Sequence, residues 1–301
     1  MSAVVINFVS KFVAVLFLFM GDIVRLGQWA YNGIVHNGVT EPSPGKGMPR
    51  SEFLSKTALI AGVVPSAIFS FGIISGAYDY RVRRKTITMP NLPKAFDGIR
   101  MAQLSDIHSG SFYNKTAVKG GIDMLLGEKA DVIFFTGDLV NNESREVKDY
   151  VDIFSKVKAP LGVYSTLGNH DYGDYTKWSS ENEKRKNLQD LIQTHKNMGW
   201  DLLLDESRYL ETGGEKLGII GVQNWGAKFA KYGNLEKAAH NVEAPVKILL
   251  SHDPTHWDAQ VRSGHKDIDL TLSGHTHGFQ FGVEIGNFKW SPAQEKIRKA
   301  G

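Results

Sequence analysis

The sequence contains no cysteine among its 301 residues. This absence excludes structural disulfides, thiolate zinc sites and a cysteine nucleophile. Three common signatures are also missing: the GxGxxG turn, the GxxxxGK[ST] phosphate loop and the GxSxG nucleophile elbow. A transition-metal site in this chain would therefore have to be built from His, Asp, Glu and Asn, a set that suits Zn, Mn or Fe.

The chain also lacks a strong excess of charge of either sign. Lys and Arg number 35 against 32 Asp and Glu, which gives a formal net charge of +3. The basic residues form no long block, and the densest group is the short run RVRRK at 81–85. This balance does not indicate nucleic acid as a partner, and we expect none.

Long apolar runs are confined to the first part of the chain. Residues 58–78 read ALIAGVVPSAIFSFGIISGAY, which is 21 residues without a formal charge, preceded by Lys56. This pattern predicts a membrane-spanning helix, with a buried core helix as the alternative. An earlier run at 4–20 contains Lys11 and is compatible with a second span, an interfacial helix or a signal-like segment. We expect residues 1–94 to form a membrane anchor region.

The orientation of the main predicted span depends on its flanking charges. Lys46, Arg50 and Lys56 precede it, and the basic run at 81–85 follows it, so the balance is nearly level. The segment PRSEFLSK at 49–56 resembles a degraded twin-arginine export signal, which favours the outer side. The denser basic run favours the inner side, so we expect a cytoplasmic-membrane protein of bacterial type with its main domain in the cytoplasm.

The pattern changes after residue 94 to short β-rich apolar runs that alternate with polar, helix-like segments. This alternation predicts an α/β sheet core within a domain at 95–301. The predicted strands lie at 99–104, 132–136, 163–167, 217–222, 246–250 and 268–272.

Metal-competent side chains follow five of these strands. The carboxyl ends of strands are where ligand sites gather in open α/β sheets, so these side chains are predicted to lie together. The five segments read SDIH, GD, GNHD, SHDP and SGHTHG, and they supply Asp106, His108, Asp138, Asn169, His170, Asp171, His252, His275 and His277.

The five segments occur in the order D-x-H, GD, GNH(D/E), a lone His and GHxH. Over residues 95–277 this order resembles the calcineurin-like metallophosphoesterases, in particular their membrane-anchored phosphodiesterase branch. The resemblance implies a four-layer α/β/β/α sandwich preceded by one or two membrane helices. Relatives continue through further strands, whereas this sequence ends soon after His277, so we expect the last strands of the second sheet to be missing.

The resemblance also implies two divalent metal ions, with Mn, Fe and Zn as the candidates. Asp138 resembles the carboxylate that bridges the two ions, and such a shared anion suits two closely spaced cations. The ligands implied for one ion are Asp106, His108 and His277, and those implied for the second are Asn169, His252 and His275.

His170 resembles the catalytic histidine of the family, which contacts the phosphate or protonates the leaving oxygen. Asp171 is expected either to orient the His170 imidazole in catalysis or to cap the next helix. Several other residues have weaker signals. Asn141 and Asn142 are candidates for substrate contact or turn formation, Trp225 for a pocket wall or packing, and His36, His195, His240, His256 and His265 for surface or packing positions.

The function implied is a membrane-anchored, dinuclear-metal phosphoesterase. The resemblance points to a phosphodiester or pyrophosphate bond in a phosphorylated, lipid-linked substrate, such as UDP-2,3-diacylglucosamine in lipid A biosynthesis. One alternative is a broad-specificity phosphodiesterase or phosphatase that acts on cell-envelope substrates. The other, from a different class, is a non-catalytic membrane scaffold that keeps the metal site for structure.

Overall fold

The computed structural model describes most of the chain. Two predictions lie outside its described residues: the metal ligand at His277, and the surface or packing role of His36. The described residues are 2–35, 50–74, 78–276, 283–285 and 288–290. They divide into two compact units, Met1–Arg81 and Val82–Gly301.

The first unit consists of two helices, α1 (Ser2–Val35) and α2 (Arg50–Ile74). Each contains a stretch long and apolar enough to cross a membrane, at Asn7–Tyr31 and Ser55–Gly72. Lys11 does not interrupt α1, so the apolar run at 4–20 belongs to a longer helix than its sequence pattern predicts. Large apolar side chains of both helices are exposed within this unit, which favours membrane spans over core helices.

The two helices of this unit approach each other through small residues. Ser10 and Ser66 share a hydrogen bond of 2.8 Å between their hydroxyl oxygens. A Cβ at Gly62 would lie 3.4 Å from the Cβ of Ala14, so the backbones are close at this level. Small residues and side-chain hydrogen bonds of this kind are typical of helix packing in membranes.

The second unit contains two four-stranded sheets. The first sheet is entirely parallel in the order β1-β2-β3-β4. Its strands are β1 (Met101–Leu104), β2 (Val132–Thr136), β3 (Val163–Thr166) and β4 (Asp201–Leu202), and the intervening helices are α3 (Lys115–Gly127), α4 (Val151–Phe154) and α5 (Glu181–Met198).

The second sheet has the order β5-β6-β7-β8, with β5 antiparallel to β6 and the other pairs parallel. Two further strands, β9 and β10, pair with each other. The bounds are β5 (Glu206–Thr212), β6 (Glu215–Gly221), β7 (Lys247–Leu250), β8 (Leu270–Leu272), β9 (Val283–Ile285) and β10 (Phe288–Trp290), with the short helices α6 (Leu235–Ala238) and α7 (Arg262–Gly264).

One cluster of buried core side chains contains residues from both sheets. Phe134 of the first sheet belongs to the same cluster as Ile219 and Leu250 of the second. A second cluster joins Ile220 and other residues of the second sheet to Leu235 of α6. The α/β class is therefore confirmed, and the four-layer order of the sandwich stays a prediction.

All six predicted strands are present, and the described residues contain four more that were not predicted, namely β4, β5, β9 and β10. β4 is only two residues long, and β5 reads ESRYLET, with Leu210 as its one fully buried residue. Because β5 lies at the edge of its sheet, most of its side chains need not be apolar.

One buried imidazole of the second unit supports a prediction about pH and stability. His195 is fully buried on α5, where its Nδ1 lies 3.1 Å from the Ser165 hydroxyl and its ring contacts Phe135 and Trp200. Its Nε2 has no hydrogen-bond partner within the described ranges. Burial lowers the pKa of His195 to about 3, so the folded protein holds the neutral imidazole.

We expect His195 to destabilise the fold as the solution becomes more acidic. In the unfolded chain a histidine takes up a proton near pH 6.5, whereas His195 in the folded protein stays neutral down to about pH 3. The contribution of His195 to the free energy of unfolding is therefore complete above about pH 6.5. It is lost as the pH falls toward 3, by up to about 1.4 kcal/mol per pH unit. Thermal unfolding of the full chain in detergent should therefore show a weaker acid dependence for His195→Gln than for wild type. The exposed His240→Gln is the control, and equal acid dependence of wild type and His195→Gln would contradict the prediction.

Candidate metal centre

The predicted ligands lie on loops that follow the strands of both sheets. β1 leads to Asp106, β2 to Asp138, β3 to Asn169, β7 to His252 and β8 to His275. Several of these loops turn sharply at the ligand itself, in a left-handed backbone conformation that is uncommon for residues other than glycine. The ligands in this conformation are Asp106 (φ 53), His108 (φ 47), Asp138 (φ 60) and His275 (φ 69).

Asp138 lies at the centre of this group and is completely buried. Its Oδ2 is 3.1 Å from Nε2 of His252 and 3.5 Å from Nε2 of His108. Its Oδ1 accepts a hydrogen bond of 2.9 Å from the backbone N–H of His170. A Cβ at Gly168 would overlap Oδ1, so this position requires glycine.

Asn169 brings two more imidazoles to the same place. Its Oδ1 lies 3.1 Å from Nε2 of His252 and 2.9 Å from Nδ1 of His275. Its Nδ2 donates to the Tyr175 hydroxyl at 2.8 Å, which turns the oxygen toward the histidines. Asp106 contacts the loop that carries His275. Both of its carboxylate oxygens accept a hydrogen bond from the backbone N–H of His275.

Three imidazoles of the site bind an oxygen on their outer side through Nδ1. His252 contacts the carbonyl of Thr136 at 2.7 Å, and His170 contacts the carbonyl of Asn141 at 2.8 Å. His108 contacts the side-chain Oδ1 of Asn141 at 3.0 Å. A carbonyl oxygen only accepts, so each Nδ1 donates its N–H outward and each Nε2 faces the site, where its lone pair can bind a metal ion once any proton on it is released.

The electrostatics of the site centre on the buried charge of Asp138. Burial acts to raise its pKa, but the hydrogen bond and charge of His252 lower the pKa below its ordinary value. For His252 burial acts in the opposite direction, and the Asp138 carboxylate nevertheless raises the pKa to about 9. The centre therefore favours positive charge next to Asp138.

The donor set fits divalent cations. The potential ligand atoms form two groups, and within each group all the atoms lie within 4.8 Å of one another. The groups are His108 with Asp138 and His170, and Asp138 with His252 and His275. Asp138 belongs to both groups, which is the position that a bridging carboxylate requires. Imidazole, carboxylate and amide oxygen together suit Mn, Fe or Zn, with Asp138 supplying the central negative charge.

Asp171 holds the loops of the site rather than the His170 ring. Its buried carboxylate accepts backbone hydrogen bonds from Asp138 (2.9 Å), Leu139 (2.8 Å) and Gly168 (2.8 Å). Burial raises the pKa of Asp171 to about 7, and the neighbouring charge of Asp138 adds to this shift. Of the two roles predicted for Asp171, orienting the His170 imidazole is not seen, because Nδ1 of His170 contacts the Asn141 carbonyl instead.

Two residues take positioning roles that the sequence pattern does not show. Asn141, predicted to contact substrate or form a turn, orients both His108 and His170. Glu146 accepts backbone hydrogen bonds from the segment 141–143 and so fixes that segment. Glu146 carries no sequence signal beyond its place in a helix-capping box with Glu143.

The remaining weak candidates lie in packing or surface positions. Trp225 stacks on the buried His256 at 4.7 Å, and His265 lies 3.2 Å from the carboxylate of Glu236. His240 is exposed. None of these four histidine and tryptophan side chains is among the groups of metal-competent atoms found in the described residues.

The fold and the clustered side chains define an α/β protein with a candidate site for divalent metal ions. Residues 99–279 match the family of calcineurin-like phosphoesterases, which is more than half of the chain, so the chain belongs to that family. Residues 1–77 match a second model, described as the probable transmembrane domain of calcineurin-like phosphoesterases. The predicted resemblance is confirmed, and the transmembrane match indicates a membrane protein.

Several curated proteins are similar to this chain. A transmembrane protein with metallophosphoesterase domain from Danio rerio is 26% identical over 79% of this chain and 54% of its own length. The uncharacterized metallophosphoesterase YkuE of Bacillus subtilis is 27% identical over 85% of this chain and 86% of its own length. The UDP-2,3-diacylglucosamine pyrophosphatase LpxG of Chlamydia trachomatis is 28% identical over 66% and 70%. The chain spans about half the length of the Danio rerio relative.

Proposed function

We propose that the protein is a membrane-anchored, dinuclear-metal phosphoesterase that hydrolyses a phosphodiester or pyrophosphate bond in a lipid-linked nucleotide. UDP-2,3-diacylglucosamine is the substrate that we propose to test first. The observation that carries the proposal is the placement of Asp138, whose buried carboxylate lies between two groups of imidazole nitrogens.

The proposed ligand sets follow this placement. Asp106, His108 and His277 hold one ion, and Asn169, His252 and His275 hold the second. Asp138 serves both. The convergence of Asn169 Oδ1 with nitrogens of His252 and His275 supports the second set, and the short distance from His108 to Asp138 supports the first.

Divalent ions bound there would polarise the phosphoryl oxygens and activate water for in-line displacement. The chain supplies the proton chemistry through His170. Its Nδ1–H is held by the Asn141 carbonyl, so Nε2 is the atom available to substrate. When protonated, Nε2 donates to a phosphate oxygen or to the leaving oxygen. The Asp171 carboxylate accepts backbone hydrogen bonds from the loops of both Asp138 and His170, and so holds these loops together.

The lipid-linked substrate is supported by three separate features. The first unit has helices of membrane-spanning length, which would keep the enzyme at the bilayer. Two aromatic rings flank the site, Tyr175 against His170 at 4.6 Å and Phe229 against His275 at 4.6 Å, and Tyr175 is half exposed. Such surfaces suit a substrate with an apolar or planar part. The similarity to LpxG points to the same chemical class.

We propose that the catalytic unit faces the cytoplasm because the basic run at 81–85 directly follows the main span. A green fluorescent protein fused after Lys85 should therefore fluoresce, and alkaline phosphatase fused at the same point should be inactive. Active alkaline phosphatase with a dark fluorescent fusion would place the unit on the outer side and contradict the proposed orientation.

The proposed reaction predicts a specific pattern of substrates and losses. The full chain, purified in detergent with Mn²⁺, should release UMP from UDP-2,3-diacylglucosamine, and chelator should abolish the activity. His170→Ala should lower kcat by about 100- to 10,000-fold, because proton donation is lost while the metal ligands remain. Metal content is measured in the same samples.

The control is His240→Ala, which changes an exposed histidine outside the site. Hydrolysis of bis(p-nitrophenyl) phosphate with no cleavage of the lipid would contradict the proposed substrate and favour a broad-specificity phosphodiesterase. A His170→Ala variant with unchanged turnover would contradict the catalytic role. Metal binding without hydrolysis of any phosphoester would favour the scaffold.

A further inference from the structure

A buried carboxylate lies next to His275 without belonging to the predicted ligand set. Asp253 follows the ligand His252 and is only 1% exposed. Its Oδ1 accepts two hydrogen bonds from Thr255, from the backbone N–H at 2.8 Å and from the hydroxyl at 2.7 Å. Its Oδ2 has no hydrogen-bond partner in the part of the chain that the structure describes. A buried carboxylate oxygen in that state is costly unless it serves a second group.

The group next to Oδ2 is the imidazole of His275. Nε2 of His275 lies 3.9 Å from Oδ2 of Asp253, while Nδ1 lies 2.9 Å from Oδ1 of Asn169. His275 therefore directs Nδ1 to the site and Nε2 to Asp253. His252 and His108 have the reverse arrangement, with Nε2 toward Asp138 and Nδ1 on an outer oxygen.

His275 differs from the other imidazoles of the site in its outer contact. Each of the other imidazoles has an outer oxygen within 3.0 Å that fixes its ring and its tautomer. Histidines that bind metals usually donate their second N–H to a carboxylate or carbonyl, and this contact tunes metal affinity. For His275 the oxygen available on the outer side is Oδ2 of Asp253.

We propose that Asp253 is a positioning residue, which accepts the Nε2–H of His275 and so presents the Nδ1 lone pair for the second metal ion. This inference rests on the proposed dinuclear site. The separation of 3.9 Å exceeds a hydrogen bond, so the contact forms when the imidazole turns toward the carboxylate.

The surroundings hold the Asp253 carboxylate in this direction. The two bonds from Thr255 fix Oδ1, and the same hydroxyl accepts from the backbone N–H of Ala227 at 3.0 Å. A Cβ at Gly226 would overlap Oδ2, so glycine at this position leaves room for the carboxylate. Phe229 packs edge-on against the His275 ring at 4.6 Å, which limits the positions open to that ring.

A purely structural role for Asp253 is the competing explanation. The contacts of Oδ1 with Thr255 close a local turn, and an asparagine oxygen could close the same turn. That role gives Oδ2 no function. The two explanations differ in whether the second metal ion is held less tightly when Oδ2 is removed.

The test measures Mn²⁺ binding to the full chain in detergent by calorimetry, and the absorption spectrum of the Co²⁺-loaded protein. Asp253→Ala should weaken one of two Mn²⁺ sites by about 10- to 100-fold and change the Co²⁺ bands, because one ligand is no longer oriented. Asp253→Asn keeps a neutral acceptor and should give an intermediate loss. Gly226→Ala should reproduce the effect by displacing Oδ2.

The matched control is Asp205→Asn, which alters another buried aspartate. Its carboxylate accepts from Gln223 and Asn234 and contacts none of the predicted ligands in the described ranges. Asp205→Asn should leave Mn²⁺ affinity and the Co²⁺ bands unchanged even if the melting temperature falls.

Unchanged Mn²⁺ affinity and unchanged Co²⁺ bands in both Asp253 variants would overturn the proposal and leave Asp253 with the structural role alone. If Asp253→Ala does not fold, Asp253→Asn and Gly226→Ala decide by the same readouts. Failure of the proposed function looks different: the wild type would bind Mn²⁺ and cleave no phosphoester, while the affinity difference between wild type and Asp253 variants would remain.

Discussion

The site depends on one buried negative charge, the carboxylate of Asp138. A buried carboxylate is stable only with positive charge or strong donors close to it. Here the donors are imidazoles on loops from both sheets, and their nitrogens lie 3.1 and 3.5 Å from Oδ2. The same interaction that raises the pKa of His252 would attract divalent cations. Metal binding and the local architecture therefore have a common origin.

The fold makes this arrangement possible by bringing strand ends together. The parallel order of β1, β2 and β3 delivers three loops to one edge, and β7 and β8 of the second sheet supply the other two. Left-handed backbone at several ligands costs stability, so the surrounding hydrogen bonds must hold it. Asp171 and Glu146 supply many of these bonds, since each carboxylate accepts several backbone N–H groups.

Much of the fold, and the convergence of the described candidate side chains, could be predicted from the sequence for clear physical reasons. Buried central strands such as β2 need continuous apolar runs, and VIFFT is such a run. The polar edge strand β5 gives no such signal. The clustering of the candidate ligands that the structure describes could be predicted because each follows a strand within a recognisable motif.

The supporting residues could not be predicted because their roles arise only in three dimensions. Asn141 and Asp253 are ordinary loop residues by sequence. Asn141 contacts His108, which lies 33 positions away along the chain, and Asp253 faces His275, which lies 22 positions away. Asp171 adjoins His170 in sequence, but the 3-10 turn at His170–Tyr172 directs its carboxylate to backbone amides. Adjacency along the chain is therefore a poor guide to which group orients an imidazole.

The central claim is that Asp138 is shared by two ions, and metal stoichiometry with Mn²⁺ electron paramagnetic resonance tests it most directly. The wild-type chain is expected to bind two Mn²⁺ ions with the spectrum of a coupled pair. Asp138→Asn is expected to lose the coupled signal and to bind at most one ion, because a neutral amide bridges two cations poorly. Two ions retained with the coupled spectrum in Asp138→Asn would contradict the account.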